Sequence, residues 1–205
     1  MTATGGADHP EASAERPYHH GNLREAVLAA AVDALSRKEP TEVSLRDLAR
    51  TVGVRHSALY THFRDRDELL SVIAGEGFRA LAEQLSAALD QSHDPLAALA
   101  TTYLHFARAN AAYYRVMFRP ENVSPENRRH TEAAADHSFD MLMRVLMEQR
   151  ALSQDEALDR AVGIWSMLHG LITLGGDRGP LCEKVSRDKE AALAAKLAHA
   201  IARTG

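Results

Sequence analysis

The chain has 205 residues, 45% of them hydrophobic and 25% charged, with a formal net charge of -4. A single cysteine, Cys182, excludes an internal disulfide framework and a thiolate-rich zinc site built from one chain. The sequence contains no run of about 18 apolar residues, the length a membrane-spanning helix needs.

Residues 1–15 hold Asp8, Glu11 and Glu15 but neither a basic residue nor an apolar block. They are expected to form a disordered leader rather than a signal peptide, with the cytoplasm as the compartment. From there the chain reads as helices. Aromatic residues make up only 5%, and alternating Val/Ile/Thr runs bounded by turn residues are missing. Asn22 with Glu25 forms a capping-box pattern ahead of Leu23, Val27, Ala30 and Ala34, and Pro40 stops that helix. Ser44 with Asp47 opens a second helix, which Gly53 ends. A third runs from about His56 to Phe63 and a fourth from about Asp67 to Leu89. Pro95 opens a fifth to about Asn110, and Ala111–Phe118 is a sixth. Ser124-Pro125-Glu126 opens a seventh to about Arg150, with proline at its first position. Ser153 with Glu156 starts an eighth ending at Gly175-Gly176, and a ninth covers about Ser186 to Arg203. The expected class is all-α, with nine helices in three parts: a leader at 1–15, a head at 16–66 and a body at 67–205.

Charge follows the same division. Residues 16–66 carry nine Lys and Arg against six Asp and Glu, whereas the leader and the body are both net acidic. A basic head on an acidic body suits contact with a polyanion. Within the head, residues 44–63 have the layout of a helix-turn-helix, in which a recognition helix enters the DNA major groove. Ala58, Leu59 and Phe63 are the apolar anchors. Arg55, His56, Ser57, Thr61 and His62 can face outward, Tyr60 offers a hydroxyl to a phosphate, and Arg46 and Arg50 lie on the helix that crosses the backbone. An ordinary helical hairpin would satisfy the same pattern.

The stretch Ser44-Leu45-Arg46-Asp47-Leu48-Ala49, then Val52-Gly53-Val54, Leu59-Tyr60-Thr61-His62-Phe63 and Asp65-Arg66-Asp67-Glu68-Leu69-Leu70, closely resembles the N-terminal domain of TetR-type transcriptional regulators. Tyr18-His19-His20-Gly21-Asn22-Leu23-Arg24 and Trp165-Ser166-Met167-Leu168-His169-Gly170 resemble one branch of that family. The resemblance implies a DNA-binding regulator, a repressor released from a palindromic operator by a small apolar or amphipathic ligand. It implies phosphate contacts from Ser44, Tyr60, His62 and Arg66, and base contacts from Arg55, His56, Ser57 and Thr61. One position departs from the pattern: Arg55 stands where the family commonly has a capping serine or threonine. Arginine cannot cap in that way, so either the helix start shifts or Arg55 reads guanine. Arg16, Tyr18, His19 and His20 form a polar arm ahead of the first helix.

Aromatic and methionine residues gather after residue 100. Tyr103, Phe106, Tyr114, Met117, Met141 and Trp165, with Asn110 and His169 as polar handles, are the candidate ligand contacts. His105 and His137 are further possible handles, and plain core packing is the competing account. In the last two helices, Ala161, Ile164, Leu168, Leu171 and Ile172 form one small-apolar stripe. Leu193, Leu197 and Ile201 with Ala191, Ala194, Ala195, Ala198 and Ala202 form another, and the pair is the expected homodimer interface unless a monomer buries both. No catalytic, metal-binding or cofactor-binding motif stands out. The chain lacks a nucleophile elbow, a Gly-Lys-Ser/Thr loop and a His-Glu-x-x-His pair, and His130 and His137 are too far apart on one helix to share a metal. The alternative to a DNA-binding regulator is a helical small-molecule sensor without sequence-specific DNA binding.

Overall fold

A computed structural model describes residues 20–118, 126–175, 179 and 184–203. The leader, the arm through His19, Ser124, Pro125, Gly176 and Cys182 lie outside the described residues. Nine α-helices run through those described: α1 His20–Arg37, α2 Leu45–Val52, α3 His56–Leu59, α4 Arg66–Gln91, α5 Pro95–Ala109, α6 Ala111–Met117, α7 Glu132–Arg150, α8 Gln154–Leu174 and α9 Arg187–Arg203. Single 3₁₀ turns precede α2 (Pro40–Glu42) and α7 (Arg128–His130).

The head is α1 to α3. Leu23, Val27, Ala31 and Leu35 lie one helical turn apart along α1 and are buried with Leu48, Leu59 and Phe63. The Ser44 hydroxyl accepts the Asp47 amide at 3.1 Å and caps α2. Gly53 closes that helix at φ 75°, where a side chain would be strained. Three boundaries differ from the sequence reading. The α1 backbone is already helical at His20, so Asn22 lies inside the helix rather than at its cap position. The third helix is a single turn that ends at Leu59, not Phe63. Phe63 is drawn into the head core, and the chain leaves the helical path to reach the cap of α4 at Asp65. The seventh helix begins at Glu132 rather than near Pro125, because Asn127 and the 3₁₀ turn pack into α4 first.

The body is α4 to α9. Helix α4 packs against α5, α6 and α7, while α9 lies along α5 and α8. The final helix buries Ala194, Ala198 and Ala202, whose small side chains allow close approach. This corrects the expected dimer stripes in part: Ala161, Ile164, Leu168, Leu171 and Ile172, with those three alanines, are buried within the chain itself. The large apolar side chains left exposed on α8 are Leu158, Val162 and Leu174; Leu193, Leu197 and Ile201 of α9 are half-buried. A charged staple holds α5, α8 and α9 together. Arg108 donates to both carboxylate oxygens of buried Glu190, at 2.5 and 3.2 Å, and to the carbonyls of Leu171 and Ile172 at the end of α8. Among the described residues, no helix is long and apolar enough to cross a membrane.

Candidate nucleic-acid interface and body pocket

Helices α2 and α3 meet across the Gly53 turn, and the first turn of α4 lies beside them. Between them runs an open groove of about 540 Å³ bordered by Thr41, Ser44, Arg46, His56, Tyr60 and Arg66. Arg55 occupies the N-cap of α3 with extended backbone and no capping bond from its side chain, as expected for arginine there. His56 and Ser57 follow it on the exposed surface. Tyr60, 52% exposed, packs edge-on against His56 with ring centres 4.9 Å apart. The Thr61 hydroxyl donates to the Ala58 carbonyl at 2.7 Å, and His62 is half-buried. Of the nine residues read from the sequence as DNA contacts, Ser44, Arg46, His56, Tyr60 and Arg66 border this groove, while Arg55, Ser57 and Thr61 are exposed on or next to α3 without lining it.

They differ in how free their charges are. Arg50 is paired with Asp47 at 2.7 Å. Arg66 is held by Asp67 at 3.2 Å and by the Thr41 carbonyl at 3.3 Å. Arg46 and Arg55 have no hydrogen bond or ion pair among the described residues. A guanidinium without an internal partner meets a phosphate or a base edge without first giving up a bond.

The body gathers its polar groups around one histidine. The Tyr103 hydroxyl lies 2.9 Å from Nε2 of His169, and the Tyr114 hydroxyl lies 2.7 Å from Nδ1. Phe118 packs edge-on against the His169 ring at 4.4 Å, and Trp165 packs against Tyr103 at 5.4 Å and Phe139 at 5.3 Å. Burial pushes the His169 pKa down, because the imidazolium would lose its hydration. Burial likewise raises both tyrosines, with Tyr114 pushed up to about 12. Beside this cluster, between α4, α5, α7 and α8, is a small cavity of about 20 Å³ lined by Leu85, Leu99, Tyr103, Ser138, Leu142 and Trp165. Its wall is apolar apart from one serine and one tyrosine.

Four of the eight residues read as ligand contacts thus come together: Tyr103, Tyr114, Trp165 and His169. Phe106, Met117 and Met141 are buried core residues that do not line the cavity, and the Asn110 amide donates to the Phe106 carbonyl at the α5–α6 junction. His105 and His137 are exposed. Sequence reasoning missed the central place of Phe118, since an apolar residue at a helix end carries no mark of its partners. It also missed Arg64, whose long-range partners are described below.

A helical body carrying a helix-turn-helix head defines a DNA-binding regulator. Residues 27–73 match the family described as bacterial regulatory proteins, tetR family, and residues 96–200 match the tetracyclin repressor-like C-terminal domain. The chain belongs to the TetR family of transcriptional regulators. It is 30% identical over 155 residues to an uncharacterized HTH-type transcriptional regulator of Haemophilus influenzae, covering 73% of this chain and 75% of that one. It is 24% identical over 156 residues to the HTH-type regulator YobS of Bacillus subtilis, covering 75% and 79%. Among solved structures, a Rhodococcus sp. RHA1 protein of unknown function superposes with a TM-score of 0.75 at 31% identity, over 90% of this chain and 97% of that one. The TetR-family regulator PfmR of Thermus thermophilus superposes with a TM-score of 0.64 at 24% identity, over 86% and 97%.

Proposed function

We propose that this regulator is a cytoplasmic homodimeric repressor that binds an inverted-repeat operator through residues 44–66 and is released by a small apolar or amphipathic ligand. The observation that carries this reading is the reach of α4. Its 26 residues begin at Arg66 beside the DNA groove and include Leu85, which lines the body cavity. At 1.5 Å per residue the helix is about 39 Å long, and about 29 Å of it separates Arg66 from Leu85. The two recognition helices of a dimer would sit roughly 34–36 Å apart, one turn of B-DNA. A ligand that enlarges the cavity displaces α4 and changes that spacing. To switch occupancy from 99:1 to 1:99 it must favour the released geometry by about 5.5 kcal/mol.

The wall chemistry favours a ligand with an aliphatic or aromatic body that reaches the His169 hydroxyl cluster with one polar group. Tyr103, Tyr114, Trp165 and His169 are its contacts in this reading. Exposed Leu158 and Val162 on α8, with the half-buried Leu193, Leu197 and Ile201 of the neighbouring α9, are the proposed dimer surface.

Selecting bound sequences from a random duplex pool, at two salt concentrations, tests the DNA half. An inverted repeat with affinity falling steeply as salt rises is the expected result. Recovery of no motif by a folded dimer would favour the sensor without DNA binding. Trp165 is the single tryptophan, so its fluorescence reports ligands entering the body.

A further inference from the structure

The α3–α4 corner is tied to the turn before α7 by a bond network centred on Arg64. Arg64 directly precedes the α4 cap, Asp65. Its guanidinium reaches Asp65 at 2.9 Å, Glu126 at 3.2 Å and the side-chain carbonyl of Asn127 at 3.1 Å. Asn127 is wholly buried, and its backbone carbonyl accepts the hydroxyl of wholly buried Ser71 on α4 at 2.7 Å. One turn further along α4 is Gly75, where a β-carbon would collide with the His130 carbonyl. The turn 126–131 is therefore seated on one stripe of α4 by a hydrogen bond and by a close approach only glycine allows. It then leads into α7, whose Ser138 and Leu142 line the body cavity.

The geometry makes this turn a link between the cavity and the head. Phe63, buried in the head core, is the residue before Arg64, so the segment that holds the recognition helix and the guanidinium that meets the turn are adjacent in the chain. We propose that Arg64 is a positioning residue: held by Glu126 and Asn127, it transmits the position of α7 to the recognition helix. This rests on the reading that the body cavity controls DNA binding. Two features favour coupling over simple stapling. Asn127 is buried yet leaves its side-chain N–H₂ without a partner among the described residues, an arrangement that a purely structural contact would tend to satisfy. Arg64 also borders the DNA-facing groove, so the same side chain touches both functional regions.

The test uses the full-length protein and the duplex recovered by selection, with a side chain in place of the unidentified ligand. Ser138→Phe fills the cavity from α7, and Leu142→Trp is a second filler should the first fail to fold. Each is combined with Asn127→Ala, Arg64→Ala or Arg64→Lys, and operator affinity is measured for every combination. In the otherwise native chain the filler is expected to change affinity at least tenfold. With Asn127→Ala, Arg64→Ala or Arg64→Lys the change should shrink below about threefold, since lysine keeps the charge but cannot span Glu126 and Asn127 together. A merely structural role would shift the affinity of filled and unfilled proteins alike and leave their ratio unchanged, which overturns the proposal. Uncoupling by Arg64→Ala but not by Asn127→Ala, with a shallower salt dependence, would make Arg64 a phosphate contact and also overturn it. No effect of either filler in the native background would instead refute control by the cavity, which separates the two failures.

Discussion

Tyr103 and His169 meet across the body at 2.9 Å, from the middle of α5 to the last third of α8, and Tyr114 takes the other ring nitrogen at 2.7 Å. In the neutral ring one nitrogen accepts a tyrosine O–H and the other donates N–H to a tyrosine oxygen. The imidazole is thus satisfied without a charge. A ligand that takes one of these hydroxyls has to replace a bond already made.

This gives stability a pH dependence. Burial holds the folded pKa of His169 below the ordinary imidazole value of 6.5. The unfolded chain therefore takes up a proton first, and stability falls as pH drops from about 6.5 toward the folded pKa. Above 6.5 the contribution is fully present. Thermal melts between pH 7.5 and 5 should show this slope, and His169→Gln should flatten it. The stability from Asp33, Asp65 and Asp94, held below the usual carboxylate range, is fully present across this window and is lost only at more acid pH. An equal slope in both proteins would assign it to other groups.

Tyr60→Phe removes an exposed hydroxyl from the proposed DNA-contacting surface without disturbing the core. It should weaken specific and non-specific duplexes alike, whereas Arg55→Ala should relax preference at one base pair and cost about 1–3 kcal/mol there. Binding titrations on the selected site, on single-base variants and on random duplex separate these roles. A loss of base preference from Tyr60→Phe would reassign that residue.

Breaking the Arg108–Glu190 pair from one side leaves a buried carboxylate or a cation without its partner. Arg108→Met should cost about 3 kcal/mol, at the lower end for a buried pair because the arginine keeps some contact with water. Replacing both residues with methionine should recover much of that loss. Denaturant titrations of the two single variants and the double variant give the coupling directly.

Ala151 ends α7 at φ 50°, the left-handed region where a β-carbon crowds the backbone. Ala151→Gly should relieve about 1 kcal/mol, less the extra entropy glycine has in the unfolded chain. A lower melting temperature would show that glycine's unfolded-state entropy, together with any packing lost with the methyl group, outweighs the strain.

Val162 is 50% exposed on α8, one turn from Leu158. Val162→Glu should leave each chain folded while moving sedimentation from dimer to monomer, with operator affinity lost along with the second head. An unaltered dimer would place the interface elsewhere.

Much of the head was legible from local chemistry. Ser44 with Asp47, Gly53 and the apolar spacing act within a few residues of one another, so α2 and its turn follow from the sequence. Capping boxes and prolines set the start of α8 and α5 for the same reason. Contacts between distant residues carry no such local mark. That Ala161 and Ile164 turn inward while Leu158 and Val162 stay exposed depends on where α9 lies. The pairing of Tyr103, Tyr114 and His169 depends on three helices meeting at one point, and the late start of α7 depends on Asn127 being buried under Arg64 and Ser71. Local propensity determined which segments are helices and where most of them begin. Only tertiary packing decided which faces are spent on the core, because burial and hydrogen-bond satisfaction are properties of the assembled helices and not of any one of them.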